Sequence, residues 1–131
     1  MIVVDVNVVA YLYLPSKQSE AAEALLLQDD DWAAPTLWRS EFSNILVTYM
    51  RQGLLSLDEA VTAHRRAQAL LSAHEFDVPA PSVLRLAKES GCSAYDCEYI
   101  ALAEHLQVKL VSADAKLCRA FPDRAVGLAD V

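Results

Sequence analysis

The chain has 131 residues, of which 54% are hydrophobic, and its 18 acidic residues outnumber its 11 basic residues to give a net charge of −7. This length fits one domain with a substantial core, which we predict to span residues 1–131, and a content of only 3 Gly and 5 Pro excludes a collagen-like or disordered chain. The negative charge excludes nucleic-acid binding through a basic surface alone. A bound divalent cation would remove that objection, because it supplies positive charge locally.

The cysteines and histidines give no sign of a zinc site or a disulfide framework. Cys92, Cys97 and Cys118 are odd in number and lack closely spaced pairs, and the three histidines are scattered. The chain also has no charged-then-apolar leader and no apolar run of about 20 residues. We therefore expect reduced thiols, a cytoplasmic location and no membrane partner.

Apolar periodicity and turn residues predict short strands that alternate with helices along the whole chain. The strands are predicted over residues 1–4, 32–34, 74–78, 109–112 and 124–128. The helices are predicted over residues 6–14, 16–28, 37–52, 57–73, 81–90, 94–106 and 115–121. This alternation predicts a three-layer α/β/α fold, in which a mostly parallel central sheet of four to five strands lies between helices.

Polar residues and apolar stripes refine several of these helices. Thr36 is predicted to cap the third helix, and Ser56 to open the fourth in a capping box with Glu59. In the third helix the predicted core stripe consists of Trp38, Phe42, Ile45 and Tyr49. Glu41 falls on a separate, polar line of that helix. In the fourth helix the predicted stripe consists of Leu57, Val61, Ala67, Leu70 and Leu71.

Asp5 interrupts the first strand, where four apolar residues lead directly into a carboxylate. Such a charge cannot stay buried without a partner, because the transfer of an ion out of water is strongly unfavourable. Asp5 therefore either lies at the end of the strand, facing a crevice or a cation, or only caps the helix that follows. The local sequence leaves these alternatives open.

Three further acids join Asp5 as candidates. Asp114 lies two residues past the strand that ends at Ser112, and it would meet Asp5 at one sheet edge if the two strands were neighbours. Taken singly, Asp96 and Asp114 fit helix caps and Glu41 fits a solvated side chain. Close carboxylates repel each other by roughly 1–4 kcal/mol per pair, so a cluster of them implies a neutralising hard cation such as Mg²⁺ or Mn²⁺.

Four segments together resemble a PIN-domain ribonuclease, and within that family the VapC-like toxins of toxin–antitoxin pairs. The segments are Asp5-Val-Asn7 after the first strand, Glu41 in the third helix, Ser93-Ala-Tyr-Asp96 at the start of a late helix, and Val111-Ser-Ala-Asp114 after a strand. Their order and spacing span the whole chain. The helix that contains Tyr95-Asp-Cys-Glu-Tyr-Ile-Ala-Leu-Ala-Glu104 is the most characteristic stretch.

The resemblance implies a metal-dependent endoribonuclease that cleaves single-stranded RNA. The implied ligands of one or two Mg²⁺ or Mn²⁺ ions are Asp5, Glu41, Asp96 and Asp114, and the implied orienting residues are Asn7, Ser93 and Ser112. The implied RNA contacts are Arg39, Lys116 and Arg119. The chain departs from the family pattern at one place. Some relatives carry a further acid about one turn after the fourth acid, but Leu117 and Cys118 occupy this region here.

The resemblance also implies a homodimer and a small antitoxin partner. The apolar segment Tyr11-Leu-Tyr-Leu14 is a candidate for the antitoxin contact, with core packing as the alternative use of its leucines. Three other functions remain as alternatives. A non-catalytic PIN-like interaction module would not need all four acids, a haloacid-dehalogenase-type phosphatase would need an Asp where Asn7 stands, and a receiver domain would need its acid at the end of the third strand.

Overall fold

The computed structural model describes residues 1–131 and contains five short strands and seven α-helices. The strands are β1 (Ile2–Val4), β2 (Trp32–Pro35), β3 (Glu75–Phe76), β4 (Leu110–Ser112) and β5 (Ala125–Gly127). The helices are α1 (Val6–Tyr13), α2 (Ser19–Gln28), α3 (Trp38–Arg51), α4 (Leu57–Leu71), α5 (Ala80–Ser90), α6 (Ala94–Leu106) and α7 (Ala115–Ala120). A 3₁₀-helix follows at Leu128–Asp130. The predicted alternation of strands and helices is confirmed.

The five strands form one parallel sheet in the order β3-β2-β1-β4-β5. The chain moves outward from β1 to β2 and β3 and then returns to the other side of β1 to add β4 and β5. The order therefore reverses between β1 and β4, and in open α/β sheets this reversal is where ligands bind, beyond the carboxyl ends of the strands. The flavodoxin-like order 2-1-3-4-5, which receiver domains share, is different.

Helices cover both faces of the sheet, as the sequence predicts. Right-handed crossovers place α1 to α4 on one face, where α1 contacts α2, α3 and α4. On the other face α5 packs along α6, and α6 contacts β1, β2 and β4. None of the helices combines the length and the apolarity that a membrane-spanning segment needs.

One hydrophobic cluster extends from the sheet into both helix layers. Its largest members include both tryptophans of the chain, Trp32 on β2 and Trp38 on α3, each with 0% exposure. The Trp38 ring stacks on His64 at a centroid distance of 5.4 Å, and its Nε1 donates a 3.1 Å hydrogen bond to Oε2 of Glu75. Both tryptophans are therefore fixed within the core.

The predicted core stripe of α4 is wrong at its two leading positions. Leu57 is 67% exposed and Val61 is 37% exposed. The residues that α4 buries are Ala60, Ala63, Ala67 and Leu71. Since α4 contacts α1, α3 and β2, small side chains on its inner face allow the close approach that larger residues would prevent.

The predicted N-terminal cap is correct for α4 and wrong for α3. Ser56 and Glu59 form the predicted capping box, with both reciprocal hydrogen bonds present. Thr36 does not cap α3, which begins at Trp38 without a side-chain cap. The Thr36 hydroxyl instead donates a 3.0 Å hydrogen bond to Oδ1 of Asp77 beyond β3. A partner 41 residues away cannot be inferred from local sequence.

Candidate functional site

Asp5 lies at the switch point, immediately after β1, and its side chain is only 7% exposed. Its Oδ1 accepts a 3.0 Å hydrogen bond from Val8 N and thereby caps α1. Its Oδ2 accepts hydrogen bonds from the Ser112 hydroxyl at the end of β4 and, at 3.1 Å, from N of Ala113, the next residue. Asp5 is thus both a helix cap and a group at the crevice, so the two interpretations left open by the sequence hold together.

No basic side chain neutralises Asp5, because none of the chain's ion pairs includes it. Burial raises the pKa of the Asp5 carboxyl, and the hydrogen bonds from Ser112, Val8 and Ala113 act in the opposite direction. A buried carboxylate that is hydrogen-bonded only by neutral donors would be stabilised by a nearby positive charge.

Ser112 connects Asp5 to Asp114. The Ser112 side chain is fully buried at the end of β4, and its hydroxyl donates to Asp5 while accepting a 2.9 Å hydrogen bond from Asp114 N. Asp114 caps α7, as predicted, because its Oδ1 accepts from the backbone N–H groups of Lys116 and Leu117. The second oxygen of Asp114 forms no hydrogen bond and is free for another partner.

Glu41 approaches the same edge from the first turn of α3. Its half-buried carboxylate accepts a 2.6 Å hydrogen bond at Oε1 from the hydroxyl of Tyr99 on α6. Burial raises the pKa of Glu41, the bond from Tyr99 lowers it, and the negative charges of Asp96 and Asp5 raise it further. Glu41 is therefore electrostatically coupled to both of these acids, and it is not the solvated glutamate that its helix position alone suggests.

Tyr99 is a site residue that the sequence prediction missed. It is 3% exposed, and burial together with the Glu41 charge raises the pKa of its phenol, so that it remains a neutral hydrogen-bond donor. Aromatic residues at helical spacing predict core packing, which hides a polar role of the hydroxyl. The signal that could have identified it is its position three residues after Asp96, on the same face of α6.

Asp96 lies in the first turn of α6 and is half-buried. The Ser93 hydroxyl accepts a 3.0 Å hydrogen bond from Asp96 N, but no reciprocal bond runs from the Asp96 carboxylate to Ser93 N. The capping-box interpretation is therefore correct for Ser93 and wrong for the Asp96 side chain, in contrast to Ser56 and Glu59. The Asp96 carboxylate makes no hydrogen bond and is available to a ligand.

Further acids that the sequence did not single out extend this edge. Burial raises the pKa of Glu98 on α6, and the charge of Asp77, which follows β3, raises it further. On the other side, burial raises the pKa of the Cys118 thiol, and the charges of Asp5, Asp114 and Asp130 raise it further. Negative charges therefore act on Glu98 and Cys118 as well as on Glu41.

The donor chemistry of the four predicted acids fits a hard divalent cation. Carboxylate and hydroxyl oxygens are the ligands that Mg²⁺ and Mn²⁺ prefer, and no lysine or arginine competes for the central carboxylate. No group of three or more His, Cys, Asp or Glu side chains stands in a ready-made coordination geometry. The convergence of Asp5, Glu41, Asp96 and Asp114 on one ion therefore stays a prediction.

The remaining predicted residues differ in their surroundings. The side chain of Asn7 is exposed on α1 and makes no hydrogen bond. Arg39 is engaged in a bidentate pair with Glu75, at 2.7 Å from Nε and 2.8 Å from the terminal nitrogen. Lys116 and Arg119 are exposed on α7 and form no ion pair. They are therefore the uncommitted basic residues near the acidic edge.

This parallel sheet, with the buried Asp5 carboxylate at its switch point, defines an α/β protein whose candidate site lies at the carboxyl edge of the strands. A family model of the PIN domain matches residues 2–121. The chain therefore belongs to the PIN-domain family, as the sequence motifs predicted.

Individual relatives agree with this assignment. The chain is 33% identical over 124 residues to Ribonuclease VapC3 from Pyrobaculum aerophilum, with 92% of this chain and 95% of the relative covered. The solved structure of PAE2754 from Pyrobaculum aerophilum has a TM-score of 0.73 at 25% identity, with 98% and 90% coverage. FitAcB from Neisseria gonorrhoeae has a TM-score of 0.75 at 20% identity, with complete coverage of both chains. A toxin–antitoxin complex from Klebsiella pneumoniae has a TM-score of 0.70 at 15% identity, also with complete coverage, and these last two show the shared fold alone.

Proposed function

We propose that this protein is a metal-dependent endoribonuclease that cleaves single-stranded RNA and acts as the toxin of a toxin–antitoxin pair. The observation that carries the proposal is the buried Asp5 carboxylate at the switch point, which couples to Glu41 and has no basic partner. Family membership and a 33% identical relative that is named a ribonuclease support it.

The acids would hold a Mg²⁺ or Mn²⁺ ion through the carboxylates of Asp5, Glu41, Asp96 and Asp114. When bound, the ion supplies the positive charge and the polarisation that attack of water on a phosphodiester requires. Ser112 orients Asp5 by donating to its Oδ2, and it also fixes the backbone of Asp114. Tyr99 holds Glu41 by its hydrogen bond, and Ser93 fixes the start of α6 so that the carboxylate of Asp96 stays free.

Protons compete with a cation for this site. Burial and the nearby acids raise the pKa of Glu41, and burial raises the pKa of Asp5. Metal ligands must be deprotonated, so we expect affinity for the ion to fall as the pH decreases. Lys116 and Arg119, which are exposed and unpaired, would contact phosphates that flank the site.

The antitoxin partner would cover apolar surface of this protein and neutralise the charge of the acidic site. A groove of about 450 Å³ between α1 and α4 includes Tyr13 of the predicted contact segment, together with Leu54 and Arg66. Leu14, at the end of that segment, is buried in the core, so only part of the segment is available. An inhibitor that places an Arg or Lys in the acidic crevice would stand in for the ion. Co-purification with the product of the adjacent gene, and light scattering for the proposed homodimer, test these partners.

The enzymatic proposal is tested by incubating the purified protein with a single-stranded oligoribonucleotide and Mn²⁺. We expect cleavage that a chelator abolishes and that Asp96→Asn reduces by at least a hundredfold. Asp58→Asn is the matched control, because Asp58 is an exposed acid in the first turn of α4. If a folded Asp96→Asn variant cuts as fast as wild type, or if cleavage survives the chelator, the proposal is wrong. A protein that binds metal and cuts no RNA would instead be a non-catalytic PIN-like module.

A further inference from the structure

A second cavity adjoins the acidic site beyond the carboxyl ends of β4 and β5. We call it the α2–α7 groove. It has a volume of about 430 Å³ and is lined, among others, by Tyr11, Gln18, Ser112, Cys118, Arg119 and Asp130. Ser112 forms part of the wall and also donates to Asp5, so the groove opens directly beside the acids. The proposed mechanism assigns no task to this cavity.

The groove has the size and composition of a ligand site. Small-molecule pockets measure about 300–1,000 Å³ and combine apolar walls with a few convergent polar groups. Here Tyr11 offers a partly exposed aromatic ring and Arg119 an unpaired guanidinium. The Oε1 of Gln18 accepts from the Ser16 hydroxyl, which leaves the amide N–H groups of Gln18 free to donate.

Asp130 adds a hydrogen-bond acceptor to the lining of the groove. A Cβ at position 127 would lie 2.9 Å from Oδ2 of Asp130, so a side chain there would displace this carboxylate from its present position. The absence of a side chain on β5 therefore allows the carboxylate to lie against the strand and line the groove. A stacking surface, a cation, an amide donor and a carboxylate acceptor thus surround one space.

We propose that the α2–α7 groove binds one nucleotide of the RNA strand next to the scissile phosphate. This inference rests on the proposed ribonuclease function and adds to it the subsite for a neighbouring base. The base stacks on Tyr11, since every nucleobase presents a π-face that an aromatic side chain can cover. The phosphate of this nucleotide pairs with Arg119. The polar atoms of its base form hydrogen bonds with the amide of Gln18 and the carboxylate of Asp130.

The groove provides contacts to RNA that do not depend on a basic surface. The protein carries a net charge of −7, so its RNA contacts cannot come from a general basic surface. A base bound by stacking and hydrogen bonds needs no such surface, and one guanidinium beside the groove suffices to position the strand. Binding in the groove would therefore set the register of the RNA relative to the acids.

The decisive experiment measures at which nucleotide positions of the RNA cleavage requires a nucleobase. The probe is a ten-nucleotide single-stranded oligoribonucleotide that wild type cuts at one place, with an abasic residue introduced at each position in turn. We expect one position beside the cut to lower kcat/KM by about tenfold, the loss expected for one stacked base. Ala21→Phe, which fills the groove from α2, should abolish the sensitivity of that position. Ala24→Phe is the matched control, because Ala24 is exposed on the same helix outside the groove.

A second readout does not depend on cleavage. Cys118 lines the groove and is partly exposed, whereas Cys92 and Cys97 are buried, so a thiol reagent should modify Cys118 selectively. The reaction is run at about pH 8 because the pKa of Cys118 is raised. We expect a saturating oligoribonucleotide, added with a chelator, to slow modification several-fold in wild type and less in Arg119→Ala. Arg66→Ala, on the distant α1–α4 side, should behave like wild type.

The outcomes separate the two proposals. If wild type cuts RNA and the abasic penalties are the same in Ala21→Phe, the groove inference is wrong while the ribonuclease proposal stands. If the oligoribonucleotide protects Cys118 but is never cut, the groove is supported and the ribonuclease proposal fails. If an inhibitory partner protein protects Cys118 and RNA does not, the groove belongs to that partner and the inference is overturned.

Discussion

The hydroxyl of Tyr99 donates a 2.6 Å hydrogen bond to Oε1 of Glu41 and joins α6 to α3 beyond the carboxyl edge of the sheet. These helices belong to opposite layers, so the bond links the two helix layers of the fold. The Glu41 charge is coupled to Asp96 and Asp5, and Tyr99 is the neutral donor that keeps this charge in place.

Tyr99→Phe should weaken metal binding and lower stability. The loss of a hydrogen bond to a charged, half-buried carboxylate costs about 1–2 kcal/mol of unfolding free energy. The pKa of Glu41 should also rise, because the bond from Tyr99 is the contact that lowers it. Calorimetric titration with Mn²⁺ at pH 7 and a denaturant melt measure both effects. Tyr95→Phe is the control, because Tyr95 is 63% exposed on the same helix, and equal Mn²⁺ affinities for the two variants would contradict this role.

Ser112→Ala should disturb two acids at once. The fully buried hydroxyl donates to Asp5 and accepts from Asp114 N, so its removal should destabilise the fold by about 1–3 kcal/mol and weaken Mn²⁺ binding. Ser90→Ala provides the comparison, because the Ser90 hydroxyl also both donates and accepts, but at the end of α5. It should lower stability without changing metal affinity. A Ser112→Ala variant with unaltered affinity would refute the orienting role.

Metal should stabilise the protein through Asp5. A cation present at ten times its dissociation constant contributes about 1.4 kcal/mol, which corresponds to a rise of about 3–6 °C in Tm for a domain of this size. Asp5→Asn should lose most of this rise. Without metal it should remain within about 1 kcal/mol of wild type, because relief of the buried charge offsets weakened hydrogen bonds. Thermal melts of both proteins, with chelator and with Mn²⁺, give the comparison, and a wild type indifferent to the metal would count against the site.

The Arg39–Glu75 pair should give a pH-dependent contribution to stability. The hydrogen bond from Arg39 lowers the pKa of Glu75 below its ordinary value of 4.5. A carboxyl whose pKa is lowered in the folded state stabilises the fold above the unfolded-state pKa, and this contribution disappears as the pH falls through the folded-state pKa. Glu75→Gln should therefore melt below wild type at pH 7 and approach it below pH 4.5. Equal melting of Glu75→Gln and wild type at pH 7 would contradict this contribution.

The sequence predicted the architecture because the architecture follows from local patterns. Apolar runs and turn residues located every strand and helix to within a few residues, and their alternation implied the parallel sheet. The prediction of the buried face of α4 was wrong because it relied on hydrophobicity, which is higher for Leu57 and Val61 than for Ala60 and Ala63. Close contact with α1 and α3 selects the smaller residues, and that contact is a property of the assembled fold.

Some of the candidate site residues could likewise be predicted from local sequence, and others could not. Asp5 and Asp114 could be predicted, since each follows a strand at an edge that the topology defines. Tyr99 could not, because its partner Glu41 lies 58 residues away and only the packing of α3 near α6 brings them together. For Asp96 the capping pattern was misleading, because the motif specifies the Ser93 bond and leaves the direction of the acid undetermined.

Both tryptophans are fully buried, one in the sheet and one stacked on His64, and neither lines the α2–α7 groove. Their fluorescence emission should therefore report whether the chain is folded and should respond little to what the site binds. Each variant above can be checked for folding in the same cuvette in which it is titrated. An emission maximum that shifts to longer wavelength would identify a variant that fails through unfolding, before any loss of binding is attributed to the site.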